Sequence, residues 1–466
     1  MADRIESVDA TPTKRFLLDI VTRDISIVAA ILDLVDNSID SARELRPDGD
    51  FSGIKVAIVA TGKEFSIEDS CGGIGVEKAK EYVFRMGRPD DVVSAPGSIG
   101  HFGVGMKRAI FKLGSSFIVN SSTEQDDFTI EIDADHWFSA ADWSFPMIVH
   151  DRRDNAVTGT TILVGDLHPQ VIRSFENVEF MAELADELRS RHRLAIGNGL
   201  EITLNGSLVE PADSTVAVSD LIEPSIRSFT VEASDGGLLR VTIIAGVSAQ
   251  LPGDIDEDGE PESQPRAAKD AGWLVFGNGR LLLANDKSRL TGWGSGRKKL
   301  PQYHNQFARF RGFVYMQSVD ASAIPWNTMK TSVDPDSPLW AQVLEQMIAA
   351  ARPIIDLLNY AKVERQLATP DMATPIIDAL RSSTPINALD AAEAKFSMSM
   401  TDLREQFVSD AVFPTPNPEF VGAWKKIAYA VDAEAFSVVV AATGKQSAAE
   451  IGRISFDAFY EDIVEA

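Results

Sequence analysis

ILDLVDNSIDSA, residues 31–42, shows two faces of one helix. Ile31, Leu34, Val35, Ile39 and Ala42, with Ile27 just before them, recur at three- and four-residue spacing, and this apolar stripe predicts a helix within residues 15–45. Asp33, Asp36, Asn37 and Asp40, with Glu44 a turn later, fall on the opposite face. Asp33 and Asn37 are four residues apart, so their side chains stack along one edge. An acid beside an amide oxygen suits water activation and magnesium, which prefers hard oxygen ligands and shares them with substrate phosphates. The same pattern also describes the solvated side of an amphipathic helix.

Downstream, IKVAIVA (54–60) and FSIED (65–69) read as a strand pair, and the second strand runs into IEDSCGGIG (67–75). An acid at a strand end followed by glycines places a carboxylate where a ligand can meet it. An ordinary Asp-Gly turn has the same composition. PGSIGHFGVGMKRAIFKLG (96–114) sets Gly97, Gly100, Gly103 and Gly105 before a helix expected from Met106 to Leu113. Such a loop can wrap phosphates with backbone N–H groups at a helix N-terminus, with Lys107 and Arg108 adding positive charge. It lacks the Walker lysine and does not follow the dinucleotide fingerprint. TGTTILV (158–164) opens a β-branched strand and says little alone. Further strands are expected at 116–120 and 127–132.

In this order and spacing, ILDLVDNSIDSA, EDSCGGIG, GSIGHFGVGMK and GTT resemble the four motifs of the GHKL superfamily of gyrase B subunits, heat-shock chaperones, histidine kinases, MutL-type proteins and Microrchidia (MORC) ATPases. The resemblance covers about residues 15–165. It implies a Bergerat-type α/β sandwich binding ATP with Mg2+. It also implies roles: Asn37 for magnesium, Asp69 for the adenine amine, and Gly73 with Ile74 lining the base. Gly100, Phe102, Gly103, Val104, Gly105 and Lys107 would lie in or beside the lid over the phosphates, and Thr160 would assist near adenine. Asp33 stands where hydrolysing members carry a glutamate general base. Asp is one methylene shorter, and general-base work needs hydrogen-bond reach, so slow hydrolysis is expected. Cys71 replaces the first glycine of the second motif and reads as a small buried pocket wall.

Beyond Leu167 the resemblance continues more weakly. A helix is expected near 171–195, then a hairpin turning at Asn205-Gly206, then strands at 226–233, 238–246, 273–276 and 311–316. PWNTMKTS (325–332) resembles the loop by which gyrase-like and MORC-like transducer domains send a lysine to the γ-phosphate, which points to Lys330. GWLVFGNGRLLLANDKSRLTGWG (272–294) also resembles MORC-type transducers. The expected division is an ATP-binding domain at 1–166, a transducer-like α/β domain at 167–336, a helical connector at 337–368, a linker at 369–388 and a helical C-terminal module at 389–466. In that module Thr443-Gly444 reads as a turn between helices. A MORC-like ATPase with an ATP-dependent homodimer follows from the resemblance, residues 1–20 strapping across to the partner. The alternative is a nucleotide-gated scaffold with little or no hydrolysis. A histidine kinase fits poorly, since none of the six histidines lies before Asn37.

A chain of 466 residues exceeds a single core, and its 44% apolar and 24% charged content suits a globular protein. No apolar run reaches the roughly 20 residues of a membrane-spanning helix. The start, MADRIESVDATPTKR, lacks a secretory apolar segment, and the single cysteine fits a reducing compartment, so a cytoplasmic location is expected. The net charge of −25 repels nucleic acid except at a local basic patch. One candidate exists at 287–311, where Lys287, Arg289, Arg297, Lys298, Lys299, Arg309 and Arg311 alternate with Trp293, Tyr303, Phe307 and Phe310. The same segment also reads as a transducer loop near the phosphates. DIDEDGEPESQP (254–265) begins like a calcium loop but lacks its closing glutamate, and reads as an acidic loop.

Overall fold

The computed structural model describes residues 11–87, 98–99, 103–151, 157–232, 237–249, 266–294, 299–327, 330–396, 406–420, 431–444 and 447–464. The chain to Thr415 forms one unit and Pro416–Ala466 a second. The acidic loop 254–265, together with Gly97, Gly100, Phe102, Arg297 and Lys298, lies outside the described residues.

The helical signal at 15–45 resolves into α1 (Lys14–Arg23) and α2 (Ile27–Leu45). The break falls where Ser26 adopts an extended backbone and caps α2, accepting from the Ala29 N–H. α2 buries Ile31, Leu34, Val35, Ile39 and Ala42 in the core, as the periodicity requires. On its acidic face Asp33 is 5% exposed and Asp36 2%, whereas Glu44 near its end is exposed.

α2 packs with the first sheet, built from β1 (Lys55–Ala60), β2 (Phe65–Asp69), β3 (Gly114–Ser122), β4 (Asp127–Asp133), β5 (Met147–His150), β6 (Gly159–Leu167), β7 (Glu201–Leu204) and β8 (Ser207–Leu208). Their order is β5-β4-β3-β6-β2-β1-β7-β8. Only β1 and β7 pair in parallel; the other neighbours are antiparallel. The sheet thus runs past the boundary expected at residue 166, because the edge of β1 left open by the β1–β2 hairpin is taken up by β7. Between β2 and β3 lie the short α3 (Val76–Lys78), a π turn (Ala79–Val83) and α4 (Gly105–Leu113). α5 (Ala134–Ser139) follows β4. The helix expected at 171–195 is three: α6 (Pro169–Phe175), α7 (Val178–Arg191) and α8 (Arg193–Gly197). Asn177 interrupts it by capping α7 through the Glu179 and Phe180 N–H groups. The Asn205-Gly206 turn has the positive φ values, 48° and 80°, of a tight hairpin.

The second sheet has the order β13-β12-β14-β11-β10-β16. It comprises β10 (Ser225–Glu232), β11 (Leu238–Val247), β12 (Gly272–Gly277), β13 (Arg280–Asp286), β14 (Phe310–Gln317) and β16 (Phe407–Ser409), after the short β9 (Thr215–Val218), which pairs with β15 (Thr384–Asn387). β12 is buried at all six positions, as a strand covered on both sides should be. α9 (Arg266–Asp270) precedes β12, and α10 (Pro338–Leu367) packs across the sheet with Trp340, Val343, Met347 and Ile354 in a shared core. Where a linker is expected at 369–388, the structure has α11 (Pro375–Ser382) and β15, followed by α12 (Ala388–Phe396). Glu364 anchors α11: its buried carboxylate accepts from the Ile376 and Ile377 N–H groups at 3.0 Å. In the second unit, α13 (Ala433–Thr443) ends at Gly444, φ 69°, and α14 (Ala448–Val464) follows. No helix among the described residues is long and apolar enough to cross a membrane.

Candidate functional site

β2 delivers Asp69 to the sheet's end, in register with Thr160 of β6. Asp69 Oδ1 accepts from the Cys71 N–H at 3.0 Å and the Thr160 N–H at 3.2 Å, and Oδ2 accepts from the Ser38 hydroxyl at 2.8 Å. Burial pushes this carboxyl up, while the Cys71 N–H and the Ser38 hydroxyl act the other way. The Thr160 hydroxyl lies 3.0 Å from Ser121 Oγ, which accepts from the Ile74 N–H at 2.7 Å. Gly73 has φ 75°, and a Cβ there would come within 2.2 Å of the Ser122 carbonyl oxygen, so no side chain fits. Asp69, Gly73, Ile74 and Thr160 therefore form one small, hydrogen-bonded floor. Cys71 is buried beside it, and burial and then Asp69 push its thiol well above the ordinary range, which fits a wall and not a nucleophile.

The described part of the glycine loop ends on α4. Gly103 has φ 65°, and Val104 caps the helix without a side-chain hydrogen bond. Lys107 points elsewhere. Its amine, 4% exposed, donates to the Val83 and Gly103 carbonyls at 2.8 and 2.5 Å, tying the π turn to the loop's base. Burial pushes it down to about 7.

On α2, the expected catalytic Asp33 is engaged on both oxygens. Oδ2 accepts from Arg108 Nε at 2.8 Å and Nη2 at 2.5 Å, and Oδ1 faces Arg280 Nη1 at 3.4 Å. The same Arg280 nitrogen contacts Asp36 Oδ2, and His192 Nδ1 lies 3.8 Å from Asp36 Oδ1. One turn on, Asp40 accepts from the Ile99 N–H at 2.7 Å and from Arg43 Nη1 at 3.2 Å. Asn37, half-buried between them, has a buried Nδ2 with no partner among the described residues. Lys330 is brought to this cluster from the second sheet's side. It is 8% exposed, with a left-handed backbone (φ 51°) and its amine 5.9 Å from the Trp326 ring centre. Burial, and then Arg280, push it down to about 8, while Asp33 and Asp40 act the other way.

Arg280 is the site residue that the motif reading missed. Its signal is local: Asn278-Gly279, with φ 45° and 80°, is the same tight turn as Asn205-Gly206, and an arginine follows it directly. The expected site residues among those described line no part of a separate cavity of about 970 Å³ beside the π turn, walled by Phe84, Trp137, Trp143 and Phe145. No group of three His, Cys, Asp or Glu among the described residues could hold a metal by itself.

In the described part of the basic-aromatic segment, Arg289 and Lys299 are exposed and Tyr303 is half-buried. Trp293, Phe307 and Phe310 are core residues. Arg309 donates to the Ser248 carbonyl, Arg311 to those of Ala308 and Phe310, and Lys287 to those of Ala268 and Ala271.

No curated protein matches the chain. Residues 25–159 match the family described as histidine kinase-, DNA gyrase B- and HSP90-like ATPase. That stretch begins just before α2 and ends at the first residue of β6, taking in Asp33, Asn37, Asp69 and α4. The match supports a GHKL-type ATPase domain within residues 25–159 and, with it, ATP binding.

Proposed function

We propose that the chain binds Mg·ATP on the polar face of α2 and hydrolyses it slowly, coupling nucleotide state to the second sheet in the manner of MORC-like members. The observation that carries this is the fixed carboxylate of Asp69 on a floor closed by Gly73 and Thr160. Asp69 accepts from the adenine amine, Gly73 and Ile74 line the base, and Thr160 holds the carboxylate in place. Gly103, Val104 and Gly105 bring the phosphates to the N-terminus of α4, and Gly100 and Phe102, just before them in the sequence, join them over the phosphates. Lys107 braces that loop. Lys330 neutralises charge on the γ-phosphoryl oxygens. Magnesium, held by Asn37 and phosphate oxygens, would add the same neutralisation between the phosphates.

Asp33 acts as base. The water oxygen bonds to the γ-phosphorus as the bond to the β,γ-bridging oxygen breaks. The water's proton goes to an Asp33 carboxylate oxygen, and ADP leaves with the bond's electron pair. A carboxylate already accepting from two guanidinium groups must give up a contact to take that proton, which favours a low rate. The same ion pairs favour a second reading, a nucleotide-gated scaffold that binds without turnover.

Phosphate release by purified protein, beside Asn37→Ala, Asp69→Asn and Asp33→Asn, separates these readings. Turnover lost in Asp33→Asn with binding retained supports the base. Binding without turnover in the wild type selects the scaffold, and no binding at all removes both. An ATP-dependent homodimer belongs to the same proposal. Cross-linking that yields only monomers with a non-hydrolysable ATP analogue would sink it. A nucleic-acid partner through 287–311 would have to use Arg289, Lys299 and Tyr303, since Trp293, Phe307 and Phe310 lie in the core and Lys287, Arg309 and Arg311 bond backbone carbonyls.

A further inference from the structure

Arg280 opens β13 directly after the Asn278-Gly279 turn, and it is 1% exposed. The turn is pinned from both sides. Arg43 Nη2 donates to the Asn278 carbonyl at 2.7 Å, and Asn278 Nδ2 donates to the Ser98 and Ser318 carbonyls at 3.2 and 3.1 Å. The backbone is thus held against α2, while the arginine's long side chain can still choose among anions within its reach. Its present partners are Asp36 and Asp33.

Asp33 also borders the place where phosphates would sit. A Cβ on Gly105, the first residue of α4, would lie 3.6 Å from Asp33 Oδ2. A phosphoryl group at that helix N-terminus would therefore come close to the guanidinium now on Asp33. It offers more charge than a shared carboxylate and matches the guanidinium fork, so it competes well. The neighbourhood is already rich in cations, with Arg108 on Asp33 and Lys330 close by.

We propose that Arg280 senses the terminal phosphate: it rests on Asp33 and Asp36 without nucleotide and transfers to the γ-phosphate of ATP. This inference rests on the Mg·ATP reading above. ADP lacks the group that draws the arginine away, so Arg280, beside Lys330, adds to the preference for triphosphate over diphosphate. Transfer also releases Asp33 Oδ1, so the carboxylate becomes available only when there is a phosphate to cleave.

The test is calorimetric binding of Mg·ADP and of a magnesium complex of a non-hydrolysable ATP analogue to the full chain. The variants are Arg280→Lys and the double variant Arg280→Met with Asp36→Asn, which removes one cation and one carboxylate together. The wild type is expected to prefer the triphosphate by about tenfold or more, the scale of one charge-assisted contact. The double variant should keep its Mg·ADP affinity while its triphosphate preference falls by about tenfold, leaving only the share that Lys330 supplies. A wild-type preference retained in the double variant, or equal loss of both nucleotides, overturns the proposal. So does a wild type that binds both equally. If circular dichroism shows the double variant unfolded, Arg280→Lys decides, and an unchanged preference there overturns the proposal. A wild type that binds neither nucleotide refutes the ATP reading itself.

Discussion

Arg43 donates through Nη2 to the carbonyl oxygen of Asn278 at 2.7 Å, so α2 grips a turn that lies 235 residues further along the chain. The next residue, Gly279, has φ 80°, and a Cβ there would stand 2.5 Å from the same nitrogen. Gly279→Ala should destabilise the protein by about 1–3 kcal/mol from backbone strain alone, with a further loss from the displaced arginine. Gly206 has the same φ of 80°, but a Cβ there would meet nothing within 4 Å, so Gly206→Ala isolates the strain. Denaturant unfolding of the two variants, compared, reads the Arg43 contact; equal losses would mean that it contributes nothing.

Gly73→Ala should weaken ATP binding by at least about tenfold, since the added methyl collides with the Ser122 carbonyl oxygen at 2.2 Å and must push the floor of the site apart. Gly72 also has a positive φ, 87°, yet its nearest neighbour would be a Leu45 methyl at 3.6 Å. Gly72→Ala should therefore lose stability while keeping most of its affinity. Nucleotide titration of both variants checks the contrast.

Lys330 gives a proton signature. Its amine is pushed from 10.5 down to about 8, and a bound phosphate would raise it again. Between those values the free protein has lost a proton that the complex holds, so ATP binding near pH 9 should take up protons. Calorimetry in two buffers of different ionisation enthalpy measures this, and Lys330→Met should remove that part of the uptake. The stability sign follows from the same shift. In the window from about 8 to 10.5 the unfolded chain binds the proton and the native chain does not, so this residue makes stability rise with pH there.

His192 works in the acid range. Burial first, then Arg191 and Arg43, push its imidazole down to about 3, so it is neutral in the folded protein at neutral pH. Below pH 6.5 the unfolded chain takes up a proton that the native chain refuses. Acidification from 6.5 toward 3 should thus cost up to about 1.4 kcal/mol per pH unit from this group. Urea unfolding at pH 7 and 5.5 should show a shallower loss for His192→Gln than for the wild type.

The elements around the site were legible wherever a pattern is local. The apolar stripe of α2, the β2 acid before its glycines, and the strands β10, β11, β12 and β14 all follow from spacing within a few residues. Pairings across the chain left no such trace. Arg280 meets Asp33 over 247 residues, and no periodicity announces it. The segment containing α11 looks like a linker in composition, and only the buried Glu364 beneath its first turn explains why it is ordered. The breaks at Ser26 and Asn177 were readable as caps, but the apolar spacing runs across both and hides them. At 287–311 composition could not separate two arrangements, because aromatics between cations look alike whether they face solvent or, as Trp293 and Phe310 do, a core.

The docking of the Asn278-Gly279-Arg280 turn on α2 has a practical consequence for anyone handling fragments. Residues 25–159 are not a portable module. Excised at those limits, they would leave behind the guanidinium that meets Asp36 and, with Arg108, Asp33, and a helix face evolved to be covered would meet water. A chimaera that borrows this nucleotide-binding stretch needs β12 and β13 transplanted with it.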